Sequence, residues 1–387
     1  MVTAVHARPR ASAPAVRPVS SRHVGPQWYA PVMGTAIVAV AGAALPVPVP
    51  GPALVTVWAV SAVLLVLVAA ARAAHWAYHR DQARAHLLDL SVAPFYGCLS
   101  MALLSVGTGT LTVGSRVTGE SAAVAIAAGL FAAGTVTGLA AAVAVPYLMI
   151  VRHRPAPGTA SPVWLLPVVA PMVGASFGPL LVPRLPPGQW RAALLLGSLG
   201  MFGLSLLATL LILPLVFARL VHHGPLPLAL TPSLFLVLGP LGQSTTAVGN
   251  AADAAGSAAA HPRGFGAFAL LYGVPVTGFA LLWLALAGAL VVRAVRRGMP
   301  FSMTWWAFTF PVGTCVLGAA SLADRTGLAA LAWLAVLLYG LLVTAWAVVG
   351  FRTVCVVRAL LGGGTVIAEP ARVAAPVEPR TAAPAER

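Results

Sequence analysis

The sequence predicts an all-α membrane protein with ten transmembrane helices, arranged as five helical hairpin repeats in a ring. Three observations point there. Of 387 residues, 59% are hydrophobic and only 8% charged, too little polar surface to cover a water-soluble globule. Apolar stretches of about 20 residues, each long enough as a helix to cross the hydrocarbon core, recur from Trp28 to the neighbourhood of Cys355. A proline–glycine motif then repeats along the chain at nearly constant intervals. A transmembrane β-barrel would alternate apolar and polar residues in segments of about ten, and no such alternation is present.

Breaks at proline, glycine and charge place the helices at 28 to 45, 52 to 75, 90 to 112, 120 to 150, 161 to 182, 190 to 221, 231 to 250, 264 to 296, 303 to 323 and 327 to 358. Residues 28–358 thus form the membrane domain. The Arg-, Ala- and Pro-rich tails 1–27 and 359–387 are expected to be disordered. The first tail has no short apolar core ahead of a cleavage site and is not read as a signal peptide.

The formal charge of +15 comes from arginines between spans and in the tails. Segments after the even helices hold Arg72, Arg80, Arg84, Arg152, Arg154, Arg219, Arg293, Arg296, Arg297, Arg352 and Arg358. Those after the odd helices hold Arg116, Arg184, Arg263 and Arg325. This positive-inside asymmetry puts both termini in the cytoplasm of a bacterial-type inner membrane. With no aromatic-interleaved basic groove, no nucleic-acid partner is expected.

The repeated motif reads "PVMGTAIV" from Pro31, "PFYGCLSM" from Pro94, "PMVGASFG" from Pro171, "PLGQSTTA" from Pro240 and "PVGTCVLG" from Pro311. Its prolines lie 63, 77, 69 and 71 residues apart, one helical hairpin each. A proline within a span removes a backbone hydrogen bond and clashes one turn back, which lipid tolerates only where the freed group meets protein or water. Five kinks in register place the odd helices around a shared interior, with Gly34, Gly97, Gly174, Gly242 and Gly313 leaving room there. The even helices become the outer wall.

Chemistry is sparse. The acids outside the C-terminal tail are Asp81, Asp89, Glu120, Asp253 and Asp324, in loops or at span edges. No buried acid–base or nucleophile pair suggests an enzyme, and no acid-lined path suggests a cation channel. Cys98, Cys315 and Cys355 stand apart, and His75 with His79, at i and i+4, lacks a third ligand. Neither a metal nor a cofactor is expected, and these histidines are read as interfacial. Within spans the polar groups are small and uncharged. Gln243, Thr246 and Asn250 share one helical face at i, i+3 and i+7; Thr35 and Thr314 follow glycines of the motif. Each can contact a passing anion or glue helices together, and the sequence leaves both readings open.

The stretches "WYAPVMGTAIVA" at 28 to 39, "VWLLPVVAPMVGASFG" at 163 to 178, "LGPLGQSTTA" at 238 to 247 and "TWWAFTFPVGT" at 304 to 314 resemble the tellurite-resistance/dicarboxylate transporter family, which includes the plant slow-type anion channels. The resemblance implies five hairpins around a pore in each protomer of a homotrimer. It also implies a phenylalanine gate in the ninth helix, which falls on Phe310, next to Pro311. Members conduct chloride and nitrate, export sulfite, or move malate with protons. "VWLLPVVAP" resembles the sulfite-exporting branch. The expectation is therefore passage of a small anion through a Phe310-gated pore. The alternative is a proton-coupled carrier or exporter of C4-dicarboxylates, sulfite or tellurite.

Overall fold

The structure, a computed structural model, describes residues 24–259 and 261–361, so most of both expected tails lies outside the described residues. All regular structure among the described residues is helical. In chain order the α-helices are α1 (Tyr29–Ala43), α2 (Gly51–Tyr78), α3 (Arg80–Leu88), α4 (Gly97–Gly109), α5 (Ser115–Thr118), α6 (Glu120–Leu148), α7 (Leu165–Leu181), α8 (Gln189–His223), α9 (Leu238–Ala258), α10 (Pro262–Arg296), α11 (Phe310–Thr326) and α12 (Ala329–Leu361). A π-turn, Thr110–Gly114, joins α4 to α5, and 3-10 segments lead into α1, α4, α7, α9 and α11. The amphipathic α3 was expected to be loop.

Eight helical stretches are long and apolar enough to cross a membrane. The other two expected spans fall short for separate reasons. The first, α1, has only fifteen residues, fewer than the roughly 20 a crossing needs; α9 carries the run Gln243–Thr246 with Asn250 and Asp253.

Two kinds of helix are distinguished by burial. Of the most apolar window in the stretch Pro162–Arg184, 94% is buried inside the protein, and of that in Met303–Thr326, 83%; for Gly51–Tyr78 and Pro262–Arg296 the share is 17%. The exposed residues of the second kind are large and apolar, among them Leu211, Leu271, Trp333 and Leu337. Such a surface is stable against lipid and not against water.

The buried helices pack on one another in chain order, α1 on α4, α4 on α7, α7 on α9 and α9 on α11, and α11 returns to α1. Each long outer helix covers a groove between two of them: α2 lies on α1 and α4, α6 on α4 and α7, α8 on α7 and α9, α10 on α9 and α11, and α12 on α11 and α1. At least one hydrogen bond ties each outer helix to the inner layer. Trp58 Nε1 donates to Thr110 Oγ1 at 3.1 Å, Ser100 Oγ to the Gly134 carbonyl at 2.6 Å, Ser205 Oγ to the Val168 carbonyl at 2.7 Å, Trp283 Nε1 to the Leu234 carbonyl at 2.9 Å, and Trp346 Nε1 to Thr35 Oγ1 at 3.1 Å.

The repeated prolines do not kink the middle of their helices, with one exception. Pro31 and Pro240 are each third in α1 and α9, Pro311 is second in α11, and Pro94 sits in the 3-10 segment before α4. Only Pro171, with Pro179, lies inside its helix. At a helix start the amide has no partner one turn back, so proline costs nothing there and its fixed φ favours the first turn. The motif therefore marks where each 3-10 entry becomes α-helix, and in the last repeat the change occurs at Thr309 (φ −99°, ψ −78°). Mid-helix prolines belong equally to the outer layer, at Pro146, Pro214 and Pro275.

The glycines of the motif do what close packing demands. A Cβ on Gly97 would land on the backbone of Leu166 and Pro167, and one on Gly242 on the backbone of Thr314 and Cys315. At Gly34 it would meet Thr309 and Trp306, at Gly313 the side chain of Ile37, and at Gly174 the side chain of Met201 on α8. Backbone cannot yield as a side chain tip can. Gly242→Ala is therefore expected to destabilise the protein by about 1–3 kcal/mol, as overpacking does, read as a lowered melting temperature in detergent. Gly129→Ala, with nothing within 4 Å of the added carbon, should not lower it, since alanine is the better helix former.

Candidate functional site

All five buried helices contribute to one cavity of about 730 Å³. Its wall includes Ile37 and Val40 from α1, Ser105 and Thr108 from α4 with Thr112 from the π-turn, Val173 and Ser176 from α7, Gln243, Thr246 and Asn250 from α9, and Phe310, Leu317 and Ser321 from α11. The three polar residues expected to share a face of α9 do share it, and that face is the cavity's.

The cavity has a floor and a mouth. Along α11, Phe310 and Arg325 both line it; fifteen residues of helix separate them by about 22 Å. Phe310, only 2% exposed, stands at the deep end. The mouth is lined by Ala44, Arg116, Asp253, Asp324 and Arg325, all at the C-terminal ends of the buried helices or just beyond. On the far side of the bundle, the void between Met33, Cys98, Leu166, Leu236 and Thr304 measures about 20 Å³, space for a single water. The cavity is open at its charged end and reaches Phe310 at the other.

Charge is confined to the mouth. Arg325 Nη2 donates to Asp253 Oδ1 and to the Gly249 carbonyl, both at 2.6 Å. The arginine is mostly buried and the aspartate exposed, with side-chain exposures of 17% and 71%. Deeper in, the wall is neutral, as the scarcity of intramembrane acids predicts.

The neutral wall is ordered by hydrogen bonds. Gln243 Nε2 donates to Ser176 Oγ, and Asn250 Nδ2 donates to the Ser176 carbonyl at 2.7 Å, so α7 and α9 are stitched beside the cavity. Five of the wall's hydroxyls are engaged with backbone carbonyls. Ser105 donates to the Met101 carbonyl at 2.6 Å, Thr108 to Leu104 at 2.9 Å, Thr112 to Thr108 at 2.9 Å, Ser176 to Val173 at 2.9 Å and Thr246 to Gly242 at 3.0 Å. Back-bonding to the preceding turn is the usual resort of Ser and Thr within helices.

Of the positions singled out from sequence, Phe310, Gln243 and Thr246 line the cavity. Pro31, Pro94, Pro171, Pro240 and Pro311 are buried within the bundle beside it, and so are Gly34, Gly97, Gly174, Gly242 and Gly313. Thr35 turns outward and accepts from Trp346. Thr314 donates to the Pro311 carbonyl at 2.7 Å and packs against α9. Ser105, Thr108 and Ser176 also line the cavity; they are single hydroxyls in apolar runs that no spacing distinguishes from packing residues. Asp324 and Arg325, which in the sequence stand only as charges in loops or at span edges, line it as well.

The histidines occupy another place. His75, expected at an interface, is fully buried with its ring stacked on His86 at 5.2 Å, and Arg72 beside it is buried too. Arg72 Nη1 donates to the Val24 carbonyl at 2.6 Å and Nη2 to the Tyr96 hydroxyl at 3.3 Å. This pins the chain entering α1 to α2 and the start of α4. Among the described residues no group of three His, Cys, Asp or Glu side chains is placed to hold a metal.

Known proteins are similar to this chain over part or most of its length. An uncharacterised transporter of Methanocaldococcus jannaschii is 25% identical over 332 residues, spanning 85% of this chain and 92% of that protein. Sulfite efflux pumps of Trichophyton rubrum and Arthroderma benhamiae are each 30% identical over 182 residues, 44% of this chain and 46% of theirs, so the match spans about half the length of those relatives. The sequence profile of the voltage-dependent anion channels matches residues 23–354. With that match and its lipid-compatible outer helices, the protein is a multi-pass membrane protein belonging to the SLAC1 family of anion channels and transporters.

Proposed function

We propose that the protein moves small anions across the membrane through the interior of its five buried helices, with Phe310 as the gate. The observation on which this rests most is the 730 Å³ cavity bounded by all five of those helices and ending at Phe310. In this reading ten helices form five hairpins in a ring, and the α11-to-α1 contact closes it. Phe310 follows directly on the break at Thr309. A change of backbone there swings the ring aside without disturbing the rest of α11. The pathway includes Gln243 and Thr246, while the motif's prolines and glycines set the distances between its walls.

The arginine asymmetry favours a cytoplasmic position for the closed end and both termini, with the cavity facing outward from a bacterial-type inner membrane. Family resemblance extends the reading to a homotrimer with one pathway in each protomer. A wall without ionisable groups below the mouth favours passive flow over coupled transport. The similarity to sulfite efflux pumps favours sulfite among the candidate solutes and keeps a proton-coupled exporter as the second reading; C4-dicarboxylates and tellurite are its other candidate cargoes.

Purified protein in liposomes decides between them. Phe310→Ala is expected to raise chloride or nitrate flux at least tenfold with no dependence on a pH gradient. Flux that requires the gradient and is not raised in the variant would instead identify a coupled carrier without this gate. The geometry of the pathway is checked separately by thiol labelling in a Cys355→Ser background. Ser321→Cys and Asn250→Cys should react with a membrane-impermeant reagent added from the mouth side, whereas Thr35→Cys and Thr314→Cys should stay unmodified, as read by mass spectrometry.

A further inference from the structure

A second hollow, of about 370 Å³, lies on the outer side of the bundle at the end away from the cavity's mouth. Three arginines line it, Arg219 near the end of α8 and Arg293 and Arg297 at the end of α10, with Leu226, Leu228 and Thr231 from the segment that leads into α9. Topology alone explains why arginine is frequent at this end, but not why three converge on one hollow. Arg219 Nη1 donates to the Gly224 carbonyl, which holds that side chain in the wall. No acid lines the hollow, and neither Arg293 nor Arg297 belongs to an ion pair among the described residues. The described acids stand elsewhere: Asp253 and Asp324 at the mouth, Glu120 paired with Arg184, and Asp81 and Asp89 on α3 and just after it. The carbonyl ends of α8 and α10 add about half a negative charge each. Against three full positive charges this leaves the hollow cationic.

Depth decides what can fill it. Beside the arginines, Phe217 and Val221 on α8 and Val292 and Val295 on α10 are each half exposed or more. Apolar surface of that kind belongs against acyl chains, so the hollow stands where hydrocarbon gives way to headgroups. Guanidinium forks match the oxygens of a phosphate two bonds at a time, and basic hollows between outer helices suit lipid headgroups. The volume would take about a dozen waters at about 30 Å³ each, enough for a glycerophosphate. Its back wall is preset, because the Ala229 carbonyl accepts from Ser302 Oγ at 3.1 Å and from Thr304 Oγ1 at 2.7 Å. These bonds fix the segment Leu228–Val237 to the one that precedes Phe310. We propose that this hollow binds the phosphate of an anionic phospholipid, its acyl chains lying along α8 and α10 and its headgroup among Arg219, Arg293 and Arg297. The site lies outside the anion pathway and does not depend on it.

The test is lipid retention. Full-length protein in detergent is given an equimolar mixture of phosphatidylglycerol and phosphatidylcholine with matched chains, and bound lipid is counted by native mass spectrometry. Wild type is expected to prefer phosphatidylglycerol. Arg293→Gln with Arg297→Gln should lower that preference about tenfold, the worth of one charge-assisted hydrogen bond. Arg152→Gln with Arg154→Gln, the same loss of charge at exposed positions outside the hollow, should lower it far less. Should the first pair lower the melting temperature, Arg297→Gln alone, just beyond the end of α10, is read in its place and must lower the preference as well. An excess of inorganic phosphate should not displace the lipid; displacement by it would make this a free-phosphate site and overturn the lipid assignment. Equal retention of the two lipids by wild type, or an equal loss in both pairs of variants, overturns the site itself.

Discussion

The closeness with which the buried helices approach one another governs the rest of this structure. Lipid offers no hydrophobic reward for bringing two apolar helices together, so association depends on van der Waals fit and on hydrogen bonds across the contact. Here the fit is backbone against backbone: α4 touches α7 where Gly97 meets Leu166 and Pro167, and α9 touches α11 where Gly242 meets Thr314 and Cys315. Side chains at those two points would push the walls apart. The glycines hold the walls together toward the closed end, and the cavity widens toward the C-terminal ends of the same helices, where charge and water can enter.

The outer layer answers a different demand. Its helices present Leu, Val and Phe to lipid, and each reaches inward with a polar group, such as Trp58, Trp283 or Trp346, whose indole N–H finds a buried oxygen. An indole is well suited to this, with a large apolar body and a single donor. The inner wall is thereby held from behind. The π-turn at Thr110–Gly114 belongs to the same arrangement: Gly109 and Gly114 make room for the Trp58 ring, and Thr110 accepts its N–H. Such turns recur at functional sites, and this one carries Thr112 into the cavity wall.

Chemically the cavity is defined by what its polar groups have already spent. Ser105, Thr108, Thr112, Ser176 and Thr246 satisfy their protons on the preceding turn, so these five hydroxyls are spent as donors. The amides of Gln243 and Asn250 differ, because each bonds to Ser176 on a neighbouring helix and is held by it. Residue type alone misstates the character of such a surface; only the partners reveal it.

The sequence by itself determined that this is a helical membrane protein, which of its helices face lipid, and that Gln243, Thr246 and Asn250 share a face. These follow from composition and periodicity, which each residue expresses through its own position on a helix. The proline–glycine repeat was also visible as a repeat. Its meaning was not, because whether a proline kinks a helix or begins one depends on where the preceding 3-10 segment ends, and at Pro31, Pro94, Pro240 and Pro311 it begins or precedes one. Tertiary structure alone decided that Thr35 and Thr314 turn away from the cavity, that Ser105 and Ser176 turn toward it, and that Arg325 stands at its mouth. The physical reason is that a side chain's environment is set by the helix across from it, and that neighbour lies up to 311 positions away in the chain, as for Thr35 and Trp346.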